Sequence, residues 1–74
     1  MKYTVFFKLC LSTGIRYFKT TQLSDTLADA IFYSIINFND NCVYSFRLCT
    51  DMIITDATGK EVYKHNFEQE RQTA

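Results

Sequence analysis

Proline and tryptophan are absent from this 74-residue chain, and only two glycines occur. These absences exclude a proline-rich linker, a collagen-like segment and low-complexity sequence. A glycine-rich phosphate loop is excluded too, because both glycines fall in turn contexts, Thr13-Gly14 and Thr58-Gly59. Histidine is nearly absent. Any Ser-His-Asp or Cys-His nucleophilic arrangement would have to run through His65, which sits among charged residues where an exposed imidazole is expected. Cysteine is sparse and odd in number, Cys10, Cys42 and Cys49, with no Cys-x-x-Cys pair. Together with His65 they lack the paired turn of a zinc knuckle, so no metal and no other cofactor is expected. Their positions inside strand-like patterns point to reduced core thiols of a reducing compartment. Asp51 and Asp56 lack the spacing of a calcium loop. Asp56 with Glu61 straddles a turn, which is turn chemistry before it is acid–base chemistry. No catalytic residue is assigned, and an enzyme is not expected.

No apolar run approaches the roughly 20 residues of a membrane helix, and Lys8 interrupts the one candidate signal-peptide core. The expectation is a soluble, cytoplasmic protein. Net charge is also lacking, with eight basic and eight acidic residues, which argues against strong non-specific nucleic-acid binding. The charge is unevenly spread, however. Residues 1–19 hold Lys2, Lys8, Arg16 and Lys19 with no acid, whereas residues 20–57 hold Asp25, Asp29, Asp40, Asp51 and Asp56 against Arg47.

What is present is apolar and aromatic: 47% hydrophobic residues, including seven phenylalanines and five tyrosines. That suffices for one small domain, although at this size only about 60% of the unfolded surface is buried. Leu27, Ala28, Ile31, Phe32, Ile35 and Ile36 follow helical spacing. Ser24 is the expected N-cap, Asp25 suits the positive end of the helix dipole, and Leu23 with Ala28 forms a possible staple. Asn37, Asn39, Asp40 and Asn41 mark the exit, giving a helix over about 25–38. Its back carries Asp25, Asp29, Tyr33 and Asn37, read either as a docking ridge or as a solvated face.

Residues 2–11 alternate with Tyr3, Val5, Phe7, Leu9 and Leu11 on one side, which predicts a half-buried strand. A three-residue connection, Ser12-Thr13-Gly14, would pair Leu11 with Ile15 and Leu9 with Tyr17. Cys42 to Ile54 reads as one long strand or two, with a bend or bulge near Thr50-Asp51. Asp56-Ala57-Thr58-Gly59 closes a second hairpin that places Val62 opposite Ile54 and Tyr63 opposite Ile53. The result is an α+β domain over 1–67, a four- to five-stranded antiparallel sheet with one helix on one face, in the order β-β-α-β-(β)-β. A polar tail, 68–74, is expected to fray.

One helix covers only one face of such a sheet. The other face, in this register, carries Phe6, Phe18, Val43, Ile53 and Tyr63 among Lys8, Arg16 and Arg47. An apolar patch rimmed by charge marks a partner site, and its residue types also suit single-stranded nucleic acid. A one-residue slip would instead turn several of these side chains into the core, and a homodimer would cover the face.

The 74-residue frame opening Met1-Lys2-Tyr3-Thr4-Val5, the Thr13-Gly14 hairpin and the Ser24-Asp25 helix start resemble small phage-encoded inhibitors, anti-CRISPR proteins in particular. That resemblance implies a compact sheet with one helix, no catalytic residues, and binding to a defence-nuclease complex in a bacterial host. The neutral net charge departs from the strongly acidic DNA mimics among them. The leading expectation is a small non-enzymatic protein-binding module that inhibits or adapts a larger protein. Its contacts would come from Phe6, Lys8, Arg16, Phe18, Arg47 and Tyr63 on the sheet, or from Asp25, Asp29 and Tyr33 on the helix. A single-stranded nucleic-acid binder and a structural homodimer are the alternatives.

Overall fold

A computed structural model describes residues 1–69. Four strands and one long helix form an α+β fold: β1 (Lys2–Leu11), β2 (Gly14–Leu23), α1 (Leu27–Asn41), a 3₁₀ turn (Phe46–Leu48), β3 (Cys49–Thr55) and β4 (Glu61–Asn66). The strands make one antiparallel sheet in the order β2-β1-β3-β4, with β1 inside and β2 and β4 as its edges. The alternation of β1 is realised. Tyr3, Val5, Phe7 and Leu9 are buried against the helix, which follows from the period of two in strand side-chain direction.

The register of the first hairpin differs from the expected one. Leu11 pairs with Gly14, and Ser12-Thr13 alone form the connection, so Leu9 faces Arg16 and Phe7 faces Phe18. Gly14 adopts φ 133°, backbone that a side chain strains, and it does so as the first residue of β2 and not as the last residue of the loop. This one-residue shift turns Phe18 inward beside Phe7 and turns Ile15, Tyr17 and Lys19 outward. The second hairpin shifts likewise: Ile54 pairs with Tyr63 and Ile53 with Lys64. Its turn is held by Asp56, whose Oδ1 accepts from the amides of Thr58 (2.9 Å) and Lys60 (3.1 Å) and from the Thr58 hydroxyl. That hydroxyl bond is the main reason the Asp56 carboxyl lies below its usual value.

The helix begins later than expected. Thr26, and not Ser24, is the N-cap, accepting from the Asp29 amide at 3.2 Å. Ser24 instead exchanges backbone bonds with Met1, 2.9 Å in each direction, as a continuation of the β1–β2 ladder. Leu23 and Ala28 are exposed and make no staple. The exit lies at Asn41, where Nδ2 donates to the Asn37 carbonyl and to its Oδ1 (3.1 and 2.9 Å). The buried line is Ala30, Ser34 and Phe38, flanked by Leu27, Ile31 and Ile35, while Phe32 and Ile36 face out. Small side chains at Ala30 and Ser34 let the helix lie close over the sheet. Ser34, fully buried, donates its hydroxyl to the Ile31 carbonyl at 2.9 Å, so no polar atom is stranded.

Phe38 anchors the helix. Its ring centroid lies 4.9 Å from Phe7, 5.3 Å from Phe18 and 5.3 Å from Phe46, within the range of favourable aromatic pairs. Phe46 reaches this cluster because Cys42–Ser45 form a loop and Phe46–Leu48 a 3₁₀ turn, so the long strand expected from Cys42 begins only at Cys49. The irregularity expected near Thr50-Asp51 is present: Leu9 pairs with Cys49 and Lys8 with Asp51, leaving Thr50 as the extra residue of a bulge. After β4, Asn66 accepts from the Gln69 amide at 2.7 Å, opening a helical turn at Phe67. Most of the expected polar tail, 70–74, lies outside the described residues.

Candidate interaction surfaces

The open sheet face is built by the observed register. Residues of β1 and β2 that alternate with the core set, Phe6, Lys8, Cys10, Ile15, Tyr17 and Lys19, point away from the helix, joined by Ile53 of β3 and Lys64 of β4. Phe6 is half-buried beneath the Lys19 ammonium, 5.8 Å from its ring centroid, a cation–π arrangement. Asp51, opposite Lys8 and itself buried, accepts from the Thr50 hydroxyl at 3.0 Å.

The residues expected together on this face are divided between the two sides. Phe6, Lys8 and Ile53 remain on it. Phe18 and Tyr63 sit on the helix side, packed against the core, because each pairs opposite an inward residue, Phe7 and Ile54. Arg16 follows Phe18 to the helix side as an exposed residue. Arg47 stands in the 3₁₀ turn, its amide donating to Ser45 Oγ at 3.2 Å, and Val43 lies in the preceding loop, 90% exposed. Cys10 is exposed where a core thiol was expected, while Cys42 is half-buried and Cys49 buried. His65 is not an exposed imidazole either. It is half-buried, stacked on Tyr63 (interplanar angle 3°) and edge-on to Phe67 at 4.7 Å. Among the described residues no group of three or more His, Cys, Asp or Glu is placed to hold a metal ion.

The helix back is more apolar than its sequence pattern indicates. Asp25 and Asp29 are exposed at its start and Tyr33 is 53% exposed, as anticipated; beside them Phe32 is 60% exposed and Ile36 also faces solvent. The Phe32 and Tyr33 rings pair edge to face at 5.3 Å. Asp25, Asp29 and Tyr33 also line a shallow groove of about 320 Å³ with Met1, Leu23 and Ser24. Phe32 and Ile36 escaped the sequence reading because helical spacing assigned them to the core.

A second groove, of about 310 Å³, lies along the start of β2. Leu9, Arg16, Tyr17 and Phe18 form one wall and Asn41, Cys42, Val43 and Tyr44 the other. Only the loop after the helix brings these segments together, so no local sequence signal marks it. Among the described residues no helix is long and apolar enough to cross a membrane.

No protein family, no curated protein and no solved structure matches the chain.

Proposed function

We propose that this chain is a small non-enzymatic binding module that docks on a larger protein through the back of α1. The observation that carries this reading is the exposed Phe32–Tyr33 ring pair with Ile36, rimmed by Asp25 and Asp29. Large rigid aromatics supply contact area at low entropic cost and dominate protein interfaces when buried. The acidic rim selects a partner surface with basic residues around an apolar floor and orients its approach. Inhibition of a host defence complex in the bacterial cytoplasm, as the resemblance to small phage-encoded inhibitors implies, is the setting that suits such a module.

The test is capture of partners on the tagged protein from bacterial lysate, with and without nuclease, using wild type, Phe32→Ala/Tyr33→Ala and Asp25→Lys/Asp29→Lys. A stoichiometric protein that survives nuclease and is lost with both helix variants supports the reading. A protein retained by both variants refutes the helix assignment.

A second reading is favoured by one observation, the presence of Tyr17 and Lys19 beside Phe6 and Lys8 on the open sheet face. Aromatics among cations suit single-stranded nucleic acid. The stacking candidate on β2 is Tyr17, since Phe18 packs toward the helix. Affinity for an oligonucleotide that falls steeply with salt and drops with Tyr17→Ala supports this reading; flat salt dependence removes it.

A further inference from the structure

The two edges of the sheet are unequally protected. β4 is short, carries a register irregularity opposite Ile54/Thr55, and runs into the turn at Phe67. Short, bulged edges resist pairing with further strands. β2 is ten residues long, and its ladder with β1 runs without a bulge from Gly14 to Leu23. Its free groups follow from the ladder. Met1 and Ser24 exchange both backbone bonds, so alternate pairs from there, Tyr3–Gln22, Val5–Thr20, Phe7–Phe18 and Leu9–Arg16, are the hydrogen-bonded ones. Ile15, Tyr17, Lys19, Thr21 and Leu23 therefore turn N–H and C=O away from β1, and no strand of the described residues pairs with that side.

Charge and shape select what this edge accepts. β2 carries Arg16 and Lys19 and no acid. A second copy pairing antiparallel through β2 with its two-fold at Arg16 or Lys19 would set like charges directly opposite each other, which is unfavourable, and in no register does β2 offer these cations a carboxylate. An extended segment with carboxylates meets no such repulsion. The groove of about 310 Å³ lies beside the same edge, lined by Phe18, Val43 and Tyr44 with Arg16 at its wall. Side chains of an added strand would alternate between the two faces of the sheet. Those on the helix side would reach this apolar groove, and those on the open side would meet Lys19.

We infer that β2 is a strand-addition site for an extended peptide segment of a partner protein that alternates acidic and apolar residues. Main-chain bonds to Tyr17, Lys19 and Thr21 supply affinity, and the groove with Arg16 and Lys19 supplies the preference. The strand-addition stretch Tyr17–Thr21 follows from the ladder alone and does not rest on docking through the helix back, which β2 meets only at its end, where Leu23 lines the groove of Asp25, Asp29 and Tyr33.

The probe is a short fluorescein-labelled peptide alternating glutamate and valine, beside its counterpart with lysine in place of glutamate. Titration by fluorescence anisotropy is combined with amide exchange followed by NMR on the intact chain. The expected result is saturable binding of the glutamate peptide only, with new protection at the amides of Tyr17, Lys19 and Thr21. Lys19→Glu lowers affinity roughly tenfold through the like charge it introduces, and Thr21→Pro lowers it further by removing an outward N–H that β1 does not use. Lys64→Glu, at the far side of the sheet, leaves it unchanged. If Thr21→Pro fails to fold, Lys19→Glu and the exchange pattern decide. Equal binding of the lysine peptide, equal loss with Lys64→Glu, absence of binding, or binding that leaves the three amides unprotected each overturns the proposal.

Discussion

Replacing Phe18 and Tyr17 separately by alanine tests the observed hairpin register, because the two side chains exchange faces under a one-residue slip. Phe18 is half-buried, 5.3 Å from Phe38 and 6.3 Å from Phe7. A fully buried Phe→Ala change costs about 3–5 kcal/mol; with part of the ring already in solvent, about 2–3 kcal/mol is expected. Tyr17 is 58% exposed, and substitution there should stay within about 0.5 kcal/mol. Urea unfolding followed by circular dichroism separates these outcomes. With a slope of about 1 kcal/mol per molar for a domain this small, Phe18→Ala moves the midpoint down by roughly 2–3 M and Tyr17→Ala hardly moves it. An equal or larger loss for Tyr17→Ala, at unchanged slope, would refute the pairing of Phe7 with Phe18.

Three further outcomes follow from local packing and capping. Ala30→Leu overfills the buried line of α1 and should cost about 1–3 kcal/mol, whereas Ala28→Leu, on an exposed position, should be nearly neutral; the reverse order in thermal melts would place the helix on its other face. Thr26→Ala removes the cap bond to Asp29 and should cost about 1 kcal/mol, while Ser24→Ala should not, since Ser24 contributes backbone bonds to the ladder; equal losses would contradict this assignment. Asp56 has a carboxyl held below its ordinary value of 3.8 by the Thr58 hydroxyl. Its ionised form therefore stabilises the folded state above that value, and the contribution disappears as pH falls through the lower folded value. Asp56→Ala should melt lower than wild type at neutral pH, with the gap closing in strong acid; a gap independent of pH would show that the charge is irrelevant.

The fold class was legible because its signals are local and repeated. Period two over Tyr3, Val5, Phe7 and Leu9, helical spacing around Ile31 and Ile35, and glycine beside polar residues at both hairpins each specify one element. Register was not legible, because Ser12-Thr13-Gly14 fits a two-residue connection as well as a three-residue one. The choice is made by long-range packing, in which Phe18 joins Phe38 and Phe7. The buried face of the helix, Ala30, Ser34 and Phe38, lies about one residue's angular step, roughly 100°, from the face that apolar spacing predicts. Ile31/Phe32 and Ile35/Ile36 offer two adjacent apolar columns, and hydrophobicity alone favours the pair. Ala30 and Ser34 look unremarkable in sequence, yet their small size decides which column lies against the sheet. The start was readable in principle: Thr26 with Asp29 three residues on is a capping-box pattern, overshadowed by Ser24-Asp25. Unbroken alternation from Cys42 to Leu48 predicts Phe46 within a strand, and only its place against Phe38 and Phe67 explains the 3₁₀ turn. The same errors concealed the surfaces. The expected register and helix face put Phe32 and Tyr17 inward and Arg16, Phe18 and Tyr63 outward.

Everything proposed for β2 depends on its pairing with β1, and native-state amide exchange measured residue by residue along residues 14–23 reads that pairing most directly. In the free protein the amides of Arg16, Phe18, Thr20 and Gln22 should exchange slowly and those of Tyr17, Lys19 and Thr21 quickly, an alternation set by the ladder that Met1 and Ser24 close. Slow exchange at both sets would mean that the edge is covered, and the opposite alternation would mean that the strand is shifted by one residue.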